Sequence, residues 1–159
     1  MAPPTLRWLI PVVIGYGIVL ALLPLQMVLW PDGVIESVRR QEPGLDPYWQ
    51  AMAVRLAIAQ AALIHAVSLG LAIWFTVKVL RGRRWARIAL TVQMLLSIPE
   101  SLYSATSGAT FVPHVIASNC FHVAILGLLW VPASVRSFFR RPSDRAGAGR
   151  TSGSGPDAR

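Results

Sequence analysis

The chain has 159 residues, 54% of them hydrophobic and only 14% charged, with a formal net charge of +8. A soluble domain carries about 25% charged residues, so this composition excludes an ordinary water-soluble globule, and the length is that of one domain. Beside long apolar runs, the positive charge reads as membrane orientation and contact with anionic lipid, and no nucleic-acid-binding motif is present.

The first apolar run spans about Arg7 to Trp30, with Trp8 and Trp30 as interfacial anchors roughly 33 Å apart at 1.5 Å per residue. It is longer than the apolar core of a cleaved signal peptide, about 7–15 residues, and no small-x-small cleavage site follows, so it reads as an uncleaved span. Pro11 and Pro24 lie within it, and Pro24 is expected to kink the helix by removing a backbone donor. Residues 31–47 form the longest connection. Pro31-Asp32-Gly33 opens it as a turn, Val34 to Gln41 has the length of two helical turns, and Glu42-Pro43-Gly44 and Asp46-Pro47 close it. A second span is expected over 48–80, with Tyr48 and Trp49 at one interface, followed by the basic turn RGRRWAR at 81–87. A third span runs over 84–104, and a glycine-containing turn at 106–110 leads into a fourth over 111–135. Residues 142–159 have few apolar side chains to bury and are expected to be a disordered basic tail. The expected fold is therefore all-α, a polytopic membrane protein whose four-transmembrane-helix bundle occupies residues 1–141.

Charge sets the expected orientation. The N-terminus, the 78–87 turn and the C-terminal segment hold twelve of the fifteen Lys and Arg residues, against Asp144 and Asp157. The 31–47 loop carries Arg39 and Arg40 against Asp32, Glu36, Glu42 and Asp46. Short basic loops stay cytoplasmic. Both termini are expected inside a bacterial plasma membrane, with the acidic loop outside. Lys78, Arg81, Arg83, Arg84, Arg87, Arg136, Arg140 and Arg141 form the expected belt of contact with lipid headgroups.

A duplication is also legible. His65-Ala-Val-Ser-Leu-Gly-Leu and His122-Val-Ala-Ile-Leu-Gly-Leu share the pattern H-x-x-x-L-G-L, and each is followed at the same distance by an arginine pair, Arg83-Arg84 and Arg140-Arg141. Two spans repeated in parallel would produce it; chance repetition of common membrane residues is the competing reading.

Lipid should exclude the polar residues within these spans. Gln93, Ser97, Glu100, Ser101 and Ser104 follow i, i+4, i+7, i+8, i+11, one helical face. Glu100 is the costliest to bury, and Arg55 and His114 lie at matching depth as its partners. Together with Gln93, Ser97 and Ser101 they read either as an intramembrane pair that fixes helix packing or as an outward-facing polar pocket for a solute or proton. His65 and His122 sit halfway through helices expected to be diagonal in a bundle, which makes them candidate axial ligands of a haem; histidines that hydrogen-bond between helices are the simpler alternative. The single cysteine, Cys120, excludes an intramolecular disulfide and any C-x-x-C motif. On one helix Cys120 and His122 point about 200° apart, so they cannot form a catalytic dyad. No metal-ligand spacing, phosphate-cradling glycine pattern or catalytic residue is evident.

Around RGRRWARIALTVQMLLSIPE the chain resembles small bacterial four-span membrane proteins of unassigned function, in which a basic G-R-x-W-A-R turn joins the second and third helices. The resemblance implies a plasma-membrane location and carries over no catalytic residue. The leading functional expectation is a non-enzymatic accessory or partner-binding membrane component without a cofactor. Its partners would be the bilayer and anionic headgroups, with a second copy or another membrane protein beside them. A small-solute or proton-coupled carrier is the second expectation, and a bis-histidine haem redox protein the third.

Overall fold

A computed structural model describes residues 3–106 and 108–139, and it is helical, with no strand among the described residues. The chain forms α1 (Pro4–Arg7), α2 (Leu9–Leu29), α3 (Asp32–Gln41), α4 (Pro47–Leu80), α5 (Arg84–Thr106), a 3₁₀ turn η1 (Ala109–Phe111), α6 (Val112–Trp130) and α7 (Ala133–Phe138). Among the described residues, three segments are long and apolar enough to cross a membrane: Pro4–Leu29, Pro47–Leu80 and Ala109–Trp130. The α5 segment falls short because Gln93, Ser97, Glu100, Ser101 and Ser104 dilute its apolar content.

Local chemistry explains the boundaries. Asp46 caps α4, its Oδ1 accepting the Tyr48 backbone N–H at 2.9 Å, and Pro47 occupies the first turn, where no amide donor is needed. At the other end of α4 the Arg83 N–H donates to the Lys78 carbonyl at 3.0 Å and the Gly82 N–H to the Val79 carbonyl at 2.9 Å. This is the Schellman closure, and Gly82 takes the positive φ of 78° that it requires. Asp32 begins α3, so that element runs to ten residues rather than the two turns expected from Val34. The fourth expected helix does not reach Val135. It stops at Trp130: Val131 keeps helical angles, but Pro132 supplies no N–H to continue the ladder and is extended, and α7 starts afresh. The two halves of the proposed duplication therefore differ here, since α4 continues unbroken to Leu80. The tail 142–159 lies outside the described residues.

Each of the four long helices packs on two others. α2 lies against α4 and α6, and α5 lies against the same two, which puts α2 opposite α5 and α4 opposite α6. Glycines let α2 come close: a Cβ on Gly15 would stand 2.8 Å from the Phe121 ring of α6, and one on Gly17 would stand 2.9 Å from Leu69 of α4. Two apolar clusters result. The larger joins Leu6, Leu9, Val13, Val79, Leu90, Met94, Ile125, Leu129 and Val135 at the end bearing the α4–α5 turn and α7. The smaller joins Met27, Val34, Val54 and Phe111 under α3. Apolar side chains also cover the outside. On α5, Trp85, Ile88, Val92, Leu95, Leu96, Leu102 and Tyr103 are all exposed, the reverse of a water-soluble helix.

Replacing Gly82 with Ala should lower stability by about 1 kcal/mol, the cost of a β-carbon at positive φ. Gly70→Ala, at a helical site where an added Cβ meets nothing within 4 Å, should be neutral or stabilising. Thermal unfolding of the two purified variants in one detergent would compare them, and equal loss would contradict the closure described.

Candidate functional site

Between the two apolar clusters the helices enclose a cavity of about 70 Å³. α2 contributes Tyr16, Leu20 and Leu23; α4 contributes Ile64, His65 and Ser68; α5 contributes Ser97, Glu100, Ser101 and Ser104; α6 contributes His114, Ser118 and His122. A second cavity of about 330 Å³ adjoins it and shares Leu23, Ile64, His65, Glu100, Ser104 and Phe111. The amphipathic α3 lies over this second space, turning Val34, Ser37, Val38 and Gln41 towards it. On the exposed side of α3, Glu36 pairs with Arg39 at 3.9 Å and with Arg40 at 3.5 Å.

The polar residues divide into a bonded set and an open set. His122 is buried, and its Nε2 lies 3.1 Å from the Tyr16 hydroxyl, with the two rings edge to face. Ser97 lines the same cavity as Tyr16. Asn119 Nδ2 donates to Ser101 Oγ and to the Val115 carbonyl, each at 2.8 Å, tying α6 to α5. Gln93 Nε2 donates to the Ser68 carbonyl at 2.7 Å, tying α5 to α4, and its Oε1 is buried without a partner. His65 Nδ1 donates to the Ala61 carbonyl at 2.7 Å. His114 Nδ1 is buried and unpartnered.

Of the residues singled out in the sequence, the cavity brings together Glu100, His114, Ser97, Ser101, His65 and His122. Gln93 stands outside it as an interhelical strut. Arg55 is exposed and lines neither cavity, and among the described residues no ion pair joins it to Glu100. Matching depth did not imply matching direction: Arg55 points off the helix face that carries Ile64, His65 and Ser68. A haem fits this packing poorly. Tyr16 engages His122 Nε2, the shared cavity is too small for a porphyrin plane, and His122 does not line the larger one. No group of three or more candidate metal ligands exists among the described residues.

In the basic belt, Arg81, Arg83, Arg84 and Arg136 are exposed and Lys78 is half-buried, whereas Arg87 is buried. Arg140 and Arg141 lie outside the described residues. Sequence reasoning missed Tyr16 and the contribution of α3. The signal for Tyr16 was available: a lone phenol between two glycines, in the middle of an apolar run, needs a partner for its hydroxyl.

No family model matches the chain, and neither a curated protein nor a solved structure is significantly similar to it.

Tyr16→Phe removes the bonding partner of a buried imidazole whose Nδ1 already has none. The variant should lose about 1–3 kcal/mol of stability, the cost of a buried unpaired polar group. Denaturant unfolding in detergent measures this, and an unchanged midpoint would mean that the bond is not made.

Proposed function

We propose that the chain is a non-enzymatic, multi-pass component of a bacterial plasma membrane that takes a small polar cation into an outward-facing cavity. In this reading α2, α4, α5 and α6 all cross the bilayer. The exposed apolar strip of α5 supports a fourth span: apolar side chains are exposed from Trp85 to Tyr103, while Gln93, Ser97, Ser101 and Ser104 are half-buried and Glu100 is exposed at the mouth of the cavity. The basic residues at the α4–α5 turn and on α7, against the acidic residues of the α3 region, favour cytoplasmic termini. The cavity then opens to the outer side beneath α3.

The observation that carries the reading is the chemistry of the lining. Among the described residues Glu100 is the only Asp, Glu, Lys or Arg lining either cavity, and no Lys or Arg pairs with it. Around it stand the His65 imidazole and the hydroxyls of Ser97, Ser101 and Ser104. A carboxylate at membrane depth needs a counter-charge or a proton, and a protonated amine of a few heavy atoms supplies the charge while donating to the ring of acceptors. Any partner-binding role would use other surfaces, and this geometry favours the carrier reading over it.

Two experiments test this. In a background with Cys120→Ser, Ser104→Cys should react with a membrane-impermeant thiol reagent added to intact cells, and Arg83→Cys only after permeabilisation; the opposite pattern would reverse the orientation. Methylammonium and ethanolammonium should raise the thermal midpoint of the purified protein, and Glu100→Gln should lose the effect. Equal shifts in both proteins, or none in either, would sink the cation reading.

A further inference from the structure

At the end of the helices away from the cavity, Arg87 sits in the first turn of α5 and is only 9% exposed. Its guanidinium carbon lies 3.8 Å from the centre of the Trp130 ring and 5.1 Å from that of Phe139. Trp130 is itself held in place, its Nε1 donating to Thr91 Oγ1 at 2.9 Å while that hydroxyl donates to the Arg87 carbonyl at 2.9 Å. Stacking engages the face of a guanidinium and leaves the donors in its plane unused. Two of those donors, Nε and Nη2, are buried, and neither has a hydrogen-bond partner. They form the side-on edge of the guanidinium, whose parallel N–H bonds match two oxygens of one oxyanion.

No carboxylate accounts for this edge. The described acidic residues are Asp32, Glu36, Glu42, Asp46 and Glu100, all in the α3 region or beside the cavity; Asp144 and Asp157 lie outside the described residues. A second cation, Arg136, lies on α7 three residues before Phe139, whose ring Arg87 faces. A buried, unpaired guanidinium beside a second one is costly unless an anion joins them.

We infer that Arg87 and Arg136 form a binding site for a phosphate anion, two of whose oxygens accept from Nε and Nη2 of Arg87. Trp130 and Phe139 wall the site, and Arg136 supplies the second charge from the exposed side. This differs from a diffuse basic belt, because Arg81, Arg83 and Arg84 extend into the surroundings while Arg87 presents a fixed fork. The phosphate is that of a phospholipid headgroup at the membrane face or a free anion, and both present the same oxygens.

The test uses the full-length protein in detergent, with native mass spectrometry for bound phosphatidylglycerol and a separate titration with inorganic phosphate. Arg87→Lys keeps the charge and loses the fork, and Arg136→Gln changes an exposed residue. Each should weaken binding about tenfold, the loss of one charge-assisted interaction, and Arg81→Gln should leave it unchanged. Circular dichroism establishes that the variants fold, and Arg136→Gln decides the matter if Arg87→Lys does not. Lipid retention without phosphate binding assigns the site to a headgroup, and phosphate binding without lipid retention assigns it to the free anion. Wild-type protein that binds neither, or variants that bind as well as wild type, would overturn the site. Binding that appears only after Asp144→Asn and Asp157→Asn would overturn it too, by giving the fork to the chain's own tail.

Discussion

The hydrogen bond between the Tyr16 hydroxyl and His122 Nε2 marks the seam on which the rest of the packing turns. It joins α2 to α6 where Gly15 gives way to the Phe121 ring and Gly17 to Leu69, so the helices come close around the one buried polar pair of the first helix. On one side of the pair lies the large apolar cluster, to which Tyr16 itself belongs, and on the other lies the polar cavity. Each group satisfies the other in a buried position where an unpaired polar atom is costly. Mutual satisfaction lets the dry half of the helix packing meet the polar half without a gap.

The same constraint explains α5. Taken by itself it is too polar to count as a membrane-crossing helix, and its polar residues are not spread around it. Gln93 bonds α4, Ser101 accepts from α6, Ser97 shares the cavity with Tyr16 of α2, and Trp85, Ile88, Val92, Leu95, Leu96, Leu102 and Tyr103 are exposed. Both helices packed directly on α5 thus receive a polar contact from it, while its exposed apolar side chains suit a surrounding that gives them no reason to hide. Interhelical hydrogen bonds of this kind are individually modest, about 0.6–2 kcal/mol. Their value here is directional, since together they fix which face of α5 looks inward.

Helix boundaries were legible because turn chemistry is local. Asp46-Pro47 starts α4 and Gly82 ends it, both within two residues of the positions read from the sequence. The inward stripe of α5 was legible for a similar reason: periodicity reports which residues share a face. Periodicity cannot report what that face meets. Arg55 matched Glu100 in depth, but whether their faces meet depends on helix rotation, which a depth count does not contain. The break at Pro132 was readable in principle, as proline ends a helix locally, but the apolar run continued through it and hid the interruption. The role of α3 was not legible at all, since an amphipathic segment in a loop shows its apolar face without showing what lies beneath it.

The two polar sites stand at opposite ends, and what separates them bears on mechanism. From the cavity towards Arg87 the interior passes through Tyr16 and His122 and then through Leu90, Met94, Ile125 and Leu129, all buried and packed as one cluster. Leu90, Met94, Ile125 and Leu129 line neither of the two cavities. In the proposed reading, a solute beside Glu100 would meet that cluster before it could reach the far side. Transfer to the other side would have to part α2 from α6 at the Tyr16–His122 bond, and the place is suited to it: the only cost in hydrogen bonding is one interhelical pair, and the glycines beside it carry no side chain to drag. Parting the apolar cluster below is the larger obstacle, since those side chains gain nothing from a polar solute passing among them. The barrier would thus lie in the cluster that includes residues of α1 and α7, and Arg87 at the start of α5 stacks on Trp130 and Phe139 at the same end. An anion held by Arg87 and Arg136 would brace α5 against α7 at that end and so favour the closed arrangement.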